Sequence, residues 1–264
     1  MEFCKITGSG NDFVVVNNQN GRIRNRKALA LAMCRQKFGI GADGLLLLEK
    51  SSSADYRMRI FNADGSEAEM CGNGLRCFIR FIRETGISRR SAFRVETNAG
   101  VYRARIEGTQ VSVSMFLCGE PRLNMRLDVG GKRITAHHLN TGVPHTVILV
   151  GNVEKIPVKS LGPLLRYHAA FAPAGTNVDW MEILTPGKCR VRTYERGVED
   201  ETLACGTGVV ASVICGILLG KLRSPVEITV KSGEVLRVSA SEDLKDILFR
   251  GNALLVFKGS WADS

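Results

Sequence analysis

Two cysteines of this 264-residue chain stand in the same setting. Cys71 lies in Glu69-Met70-Cys71-Gly72-Asn73-Gly74 and Cys205 in Leu203-Ala204-Cys205-Gly206-Thr207-Gly208. Each Cys-Gly-x-Gly follows an acidic, turn-prone stretch and opens an apolar segment with helical patterning. A cysteine at a helix start meets the positive end of the peptide dipoles and free backbone N–H groups. Such surroundings favour the thiolate and lower the thiol pKa from its free value of about 8.5. A pair of activated thiols suits one chemistry. A thiolate removes a proton from carbon, a thiol delivers one to the opposite face, and configuration inverts; the reverse reaction swaps the two protonation states. The proton removed would be weakly acidic, as next to a carboxylate. The N–H groups of Gly72, Asn73, Gly206 and Thr207 could then hold the carboxylate oxygens while charge develops, and the glycines let the backbone come close. One such motif is also compatible with a tight turn over a buried thiol; two copies in matching places favour catalysis. A phosphate cradle fits less well. The chain has no Gly-x-x-x-x-Gly-Lys-[Ser/Thr] and no Gly-x-Gly-x-x-Gly leading from a strand into a helix.

The elements that must position these cysteines also recur. The two loops are 134 residues apart, as are Gly8 and Gly142 in the turn–strand segments Thr7–Val16 and Thr141–Val150; Gly100 and Gly233 are 133 apart. Three landmarks in one order at one offset indicate a duplicated domain. Each half reads as a Gly-rich turn, a β-branched strand (13–16, 147–150), a helical region clearest at 28–36, and a strand (56–61, 190–194). The cysteine loop and its helix follow (75–85, 209–219), then two alternating strands (93–97 and 101–106, 226–230 and 235–240). The turns Asn98-Ala99-Gly100 and Lys231-Ser232-Gly233 read as hairpins. Strands dominate, with one central helix per half, so the class is α+β. The predicted strand 253–258 returns to the first domain. A pseudo-twofold would bring Cys71 and Cys205 to face each other across an interdomain cleft, a common place for small ligands.

The totals bound other readings. Hydrophobic residues make up 44% of the chain, enough for real cores, and the net charge is +10. That charge permits anion or nucleic-acid binding, but the basic residues are scattered, with small clusters at 22–27 and 89–90 and no aromatic-interleaved stripe. A solvated surface is favoured over a nucleic-acid partner. The start is not signal-like. The longest apolar run, 209–219, falls short of the roughly 20 residues that span a bilayer. These features read as a cytoplasmic protein with no membrane partner. A reducing compartment disfavours disulfides. No Cys-x-x-Cys occurs and no His lies at zinc spacing from two cysteines, so no metal is expected. Cys4, Cys34, Cys77, Cys118, Cys189 and Cys215 read as buried, inert thiols.

Polar residues gather near the motifs. Asn11 and His145 fall at the 134-residue offset. His145 could tune a thiol or move its proton, or be a hydrogen-bonded structural histidine. Glu195-Arg196 precedes Cys205 by about ten residues; Arg196 could clamp a second carboxylate or form an ordinary ion pair. Asn62 and Asn177 read as turn residues.

Five segments, Gly8–Phe13, Phe61–Gly74, Gly175–Val178, Tyr194–Gly197 and Glu201–Gly208, resemble the diaminopimelate epimerase family, and the resemblance runs along essentially the whole chain. It implies an isomerase that interconverts LL- and meso-2,6-diaminopimelate without pyridoxal phosphate or any other cofactor, on the route to lysine and peptidoglycan. It implies Cys71 and Cys205 as the two bases, with His145 and Glu195 assisting. Asn11, Asn62, Asn177 and Arg196 match substrate-binding positions, Glu195 stands with them, and Arg196 is expected at the distal carboxylate. Gly72, Asn73, Gly206 and Thr207 match the backbone donors at the reacting one. The implied fold is two similar α+β domains, 1–114 plus 252–264 and 115–251, each a curved, mostly antiparallel, barrel-like sheet around a central helix. Homodimers are usual. Three departures stand out: Val143 where the family commonly has asparagine, Gly44 where many members have glutamine, and a loop at 195–202 one residue longer than the commonest form. Another two-thiol amino-acid racemase or isomerase on the same fold is the alternative.

Overall fold

The structure is a computed structural model that describes residues 1–262; Asp263 and Ser264, the end of the expected C-terminal segment, lie outside the described residues. The chain divides into two compact units, Met1–Ser114 with Arg250–Ser264, and Met115–Phe249.

In the first unit, β1 (Glu2–Gly8) and β2 (Asn11–Asn17) form a hairpin. Its two-residue loop, Ser9-Gly10, has both φ angles positive, the backbone that matches strand twist in tight hairpins. After α1 (Arg26–Cys34), capped by the Asn25 side chain, β3 (Gly44–Glu49) runs parallel to β2 and antiparallel to β4 (Tyr56–Asn62). β5 (Glu67–Ala68) turns back on β4, and α2 (Gly72–Glu84) follows. Then β6 (Ala92–Thr97) runs parallel to β4, and the hairpin of β6 with β7 (Gly100–Glu107) leads to β8 (Gln110–Met115).

The runs Phe13–Val16 and Leu45–Leu48 are apolar throughout and wholly buried, because both sheet faces are covered. Val14, Val16, Leu45 and Leu47 pack with Ala30 and Met33 of α1. Leu46 and Ile60, on the other face, lie against the first turn of α2. That helix is buried nearly all round and touches β1, β2, β3, β4 and β7, as expected of a central helix.

The second unit repeats this order. β9 (Arg122–Val129) pairs with β10 (Lys132–Asn140), which is antiparallel to β11 (Pro144–Leu149). α3 (Val158–Arg166) takes the place of α1. β12 (Asn177–Thr185) is parallel to β11 and antiparallel to β13 (Lys188–Glu195). β14 (Asp200–Thr202), the buried α4 (Gly206–Leu218) and the β15 (Val226–Thr229)–β16 (Val235–Ala240) hairpin stand where β5, α2 and β6–β7 stand. β13–β15 is parallel, as β4–β6 is. β17 (Ile247–Asn252) leads to β18 (Leu254–Ser260), which pairs antiparallel with β1 in the first unit. β18 thus does for β1 what β9 does for β10. Most strand pairs are antiparallel, as expected, with parallel pairs at β2–β3, β4–β6, β11–β12 and β13–β15.

All eight cysteines are free thiols; Cys118 is exposed, against the expectation that it is buried, because it falls in the segment between β8 and β9. Burial pushes the Cys34, Cys189 and Cys215 thiols up to about 12. An unfolded chain releases those protons near pH 8.5 while the folded chain keeps them. Their contribution to stability is therefore complete below about pH 8.5 and is lost as pH rises toward 12, at about 1.4 kcal/mol per thiol per pH unit. Urea unfolding in reductant should show stability dropping by several kcal/mol between pH 8.5 and 10, with a shallower slope in Cys189→Ala. A stability unchanged over that range would contradict this burial.

Candidate active site

One end of each sheet collects the polar residues. In the second unit His145, the second residue of β11, is paired in register with Asn177, which opens β12; Glu195 closes β13. Cys205 is the N-cap of α4 and 7% exposed. Its Sγ lies 3.4 Å from Thr207 Oγ1, and that hydroxyl lies 2.9 Å from His145 Nε2. On the far side of the ring, Nδ1 is 2.7 Å from Asp179 Oδ2. Asp179 Oδ1 accepts from the Thr193 hydroxyl at 2.7 Å. His145 and Asp179 are both fully buried. Thr141 donates to the Thr207 carbonyl and so ties the helix start to the β10–β11 loop. Gly208 is required here: a Cβ on it would stand 2.2 Å from Asp179 Oδ1.

The expectation of a lowered thiol pKa is reversed at Cys205. Burial pushes this thiol well above its ordinary value; the Glu195 and Asp179 carboxylates add to that, and the Thr207 hydroxyl and Gly208 N–H oppose it. A helix start cannot offset the loss of water around the sulfur together with two nearby carboxylates.

Asn177 donates to the Pro144 carbonyl and accepts from the Arg196 N–H, so it fixes the chain on both sides of the site. The Arg196 guanidinium donates to the Ala174 carbonyl at 3.2 Å. The lengthened 195–202 loop is absorbed by a turn with Gly197 and Glu199 in the left-handed region, pinned by Tyr194 Oη on the Glu199 carbonyl and by Arg166 on the Glu199 carboxylate. Val143 lies half-buried in the loop before His145.

In the first unit Cys71 is the N-cap of α2, half-buried, and its Sγ accepts from the Gly74 N–H at 3.3 Å. Asn73 Nδ2 donates to Asn11 Oδ1 at 2.7 Å, the counterpart of Thr207 with His145. Asn11 in turn donates to Asp43. Arg76, fully buried, donates to Asn73 Oδ1, Ser9 Oγ and the Asn252 carbonyl. Asn62 stands at the end of β4 opposite Gly44 and holds the β4–β5 turn through Ser66. A Cβ on Gly44 would meet the Phe61 carbonyl at 2.8 Å, so the backbone here is packed for glycine.

The hydrogen bonds thus join Cys205, Thr207 and His145 in one unit and Asn11 with Asn73 in the other, while Asn62 sits in its own turn. Sequence reasoning did not single out Asp179, Thr193, Asp43 or Arg76. Asp179 had a usable signal: it lies two residues after Asn177 on an apolar strand, hence on the same face. Arg76 had another, as a charge inside the run Leu75–Ile79. Among the described residues no group of three His, Cys, Asp or Glu is arranged to hold a metal, and no helix is long and apolar enough to cross a membrane.

Two duplicated α+β units, each with a cysteine capping its central helix, define a fold shared with several solved structures. A probable proline racemase from Agrobacterium radiobacter K84 superimposes with a TM-score of 0.75 at 17% identity, over 99% of this chain and 92% of that one. A Bacillus anthracis phenazine biosynthesis protein of the PhzF family gives 0.73 at 14%, over 98% of each. Within that fold the chain belongs to the diaminopimelate epimerase family, which it matches over residues 3–123 and 138–255. The diaminopimelate epimerase of Aquifex aeolicus (strain VF5) is 42% identical over 272 residues, 98% of this chain and 97% of that protein. That of Chlorobaculum tepidum is 40% identical over 97% of this chain and 99% of its own length. The chain is an enzyme of the isomerase class.

Proposed function

We propose that this enzyme interconverts LL- and meso-2,6-diaminopimelate, with Cys71 and Cys205 as the two proton-transfer groups. The observation that carries this reading is the helix-start cysteine present in each of two matching units. One thiolate removes the α-proton, and the other thiol protonates the opposite face. N–H groups of Gly72, Asn73, Gly206 and Thr207 hold the reacting carboxylate, where charge builds up in the transition state. Asn11, Asn62, Asn177 and Glu195 complete substrate binding, and Arg196 takes the distal carboxylate. The acid and the base are both side chains, so the reading calls on no cofactor and no metal. The two units serve as the two epimerase domains. The family resemblance supports a homodimer working in the cytoplasm on this small molecule, with no nucleic-acid or membrane partner.

The direct test is proton NMR of LL-diaminopimelate with purified, reduced protein in D2O and no added cofactor. Loss of the α-proton signal as the meso isomer appears is the expected result. Folded, reduced protein that leaves the spectrum unchanged would refute this substrate. The second reading, a two-thiol racemase or isomerase for another amino acid, is favoured by the apolar Val143 and the side-chain-free Gly44. In that case, exchange should appear with other amino acids in the same assay.

A further inference from the structure

We propose that Arg59 with Glu67, and Arg192 with Glu201, are positioning residues that set the helix-start cysteines Cys71 and Cys205 in place. The proposal rests on the epimerase reading only for its consequence in turnover. Glu67 and Glu201 each stand four residues before a cysteine. In both pairs Nε and Nη2 of the arginine donate to the two carboxylate oxygens, at 2.7 and 2.6 Å in the first unit and 2.5 and 2.8 Å in the second. Such two-point, charge-assisted contacts fix orientation as well as distance.

The register is the same in both units. Glu67 is paired with Phe61 across β4–β5, and Glu201 with Tyr194 across β13–β14. Each arginine lies two residues before that partner, on the same face of its strand, and so reaches the glutamate diagonally. The second unit has one more residue than the first between the paired positions, and the Arg–Glu contact keeps its form across that difference. Two other ion pairs do not recur. Lys5–Asp12 has Leu139 and Thr146 at the corresponding places, and Arg80–Glu84 on α2 has Ile214 and Leu218 on α4.

The segments that these pairs hold are the ones that deliver the chain to each cysteine. β5 and β14 are two and three residues long, too short for ladder hydrogen bonds alone to keep them in place. Glu67 also accepts from the Asn98 amide in the β6–β7 turn. Arg192 also donates to the Val153, Glu154 and Ile156 carbonyls ahead of α3. Each short strand is thereby tied to a second part of its own unit. The Arg192 and Glu201 side chains are 10% and 9% exposed, so water competes little for that contact. A shift of about 1 Å in a reacting group costs up to about 100-fold in rate.

The test has two arms. In kinetics with LL-diaminopimelate, Glu67→Gln and Glu201→Gln should each lower kcat about 30-fold with KM within about threefold. Reversing the first pair, Arg59→Glu with Glu67→Arg, should recover about fivefold over Glu67→Gln. Arg59→Lys and Arg192→Lys keep the charge and lose the fork, and each should lower kcat about tenfold; they decide the matter where a glutamine variant fails to fold. The second arm needs no substrate: iodoacetamide alkylation of each cysteine, followed by peptide mass spectrometry. Glu201→Gln should speed alkylation of the buried Cys205 about tenfold by local opening, and Glu67→Gln should leave it within about twofold. Parent kcat in the folded variants overturns the proposal. So does a raised KM at parent kcat, which would put the glutamates on the substrate. Cys205 alkylation that rises equally in both variants also overturns it, because that marks a general loss of stability. A parent without turnover whose Cys205 alkylation responds to Glu201→Gln alone would sink the epimerase reading while supporting the positioning role.

Discussion

Cys71→Ala and Cys205→Ala should each lower epimerisation of LL-diaminopimelate about 1,000-fold or more, because on the proposed two-base reading each removes a proton-transfer group that the other cannot replace from the wrong face. The two variants should not be silent in the same way. A protein with one thiol left can still take the α-proton from whichever isomer presents it to that thiol, and return a solvent-derived one to the same face. Each variant should therefore wash deuterium from D2O into one isomer without inverting it, and the two variants should choose opposite isomers. Proton NMR of LL- and meso-diaminopimelate with each variant reads both quantities. Inversion at more than a few per cent of the parent rate by either variant would refute the two-base assignment. Exchange by both variants into the same isomer would refute the opposed faces.

Arg76→Met should destabilise the protein by about 4 kcal/mol. Methionine keeps much of the aliphatic volume but removes the donors that satisfy Ser9 Oγ, Asn73 Oδ1 and the Asn252 carbonyl. A buried acceptor that loses a donor costs about 1–3 kcal/mol, and Ser9 and Asn73 are both buried. The contrast is Arg90, whose ion pair with Asp55 leaves its side chain 63% exposed. Arg90→Met should cost less than about 1 kcal/mol, since water screens and competes for an exposed pair. Urea unfolding of the two variants against the parent separates them. Equal losses would mean that the Arg76 network contributes little. Asn73 and Asn11 sit on that network, so, if both bind substrate as proposed, Arg76→Met should also raise the KM for diaminopimelate.

The folded chain bears out a large part of what the sequence implies, for identifiable reasons. The helices after Cys71 and Cys205 were legible because each opens with Gly-x-Gly into apolar residues at helical spacing, nearly unbroken in α4 and interrupted by Arg76, Arg80 and Arg83 in α2. The duplication was legible because its landmarks are turns, whose glycines are dictated locally by backbone angles. The expected return of the last strand to the first unit is seen in the β1–β18 pairing. The parallel pairs β2–β3 and β11–β12 were not legible, since a continuous apolar strand reads the same whichever way its neighbour runs.

At the candidate site, local sequence determined residue types and their spacing: two cysteines at helix starts, glycines behind them, and polar residues at strand ends. Tertiary structure decided what those residues experience. It set Asp179 and Thr207 on either side of His145, buried Arg76 beneath Asn73, and removed water from around Cys205, raising a thiol that the helix start alone would lower. The physical reason is range. Backbone angles and helix-end dipoles act within a few residues and are written in the local sequence. Desolvation and the fields of carboxylates depend on which distant segments the fold packs around a sulfur, and no spacing along the chain encodes that directly.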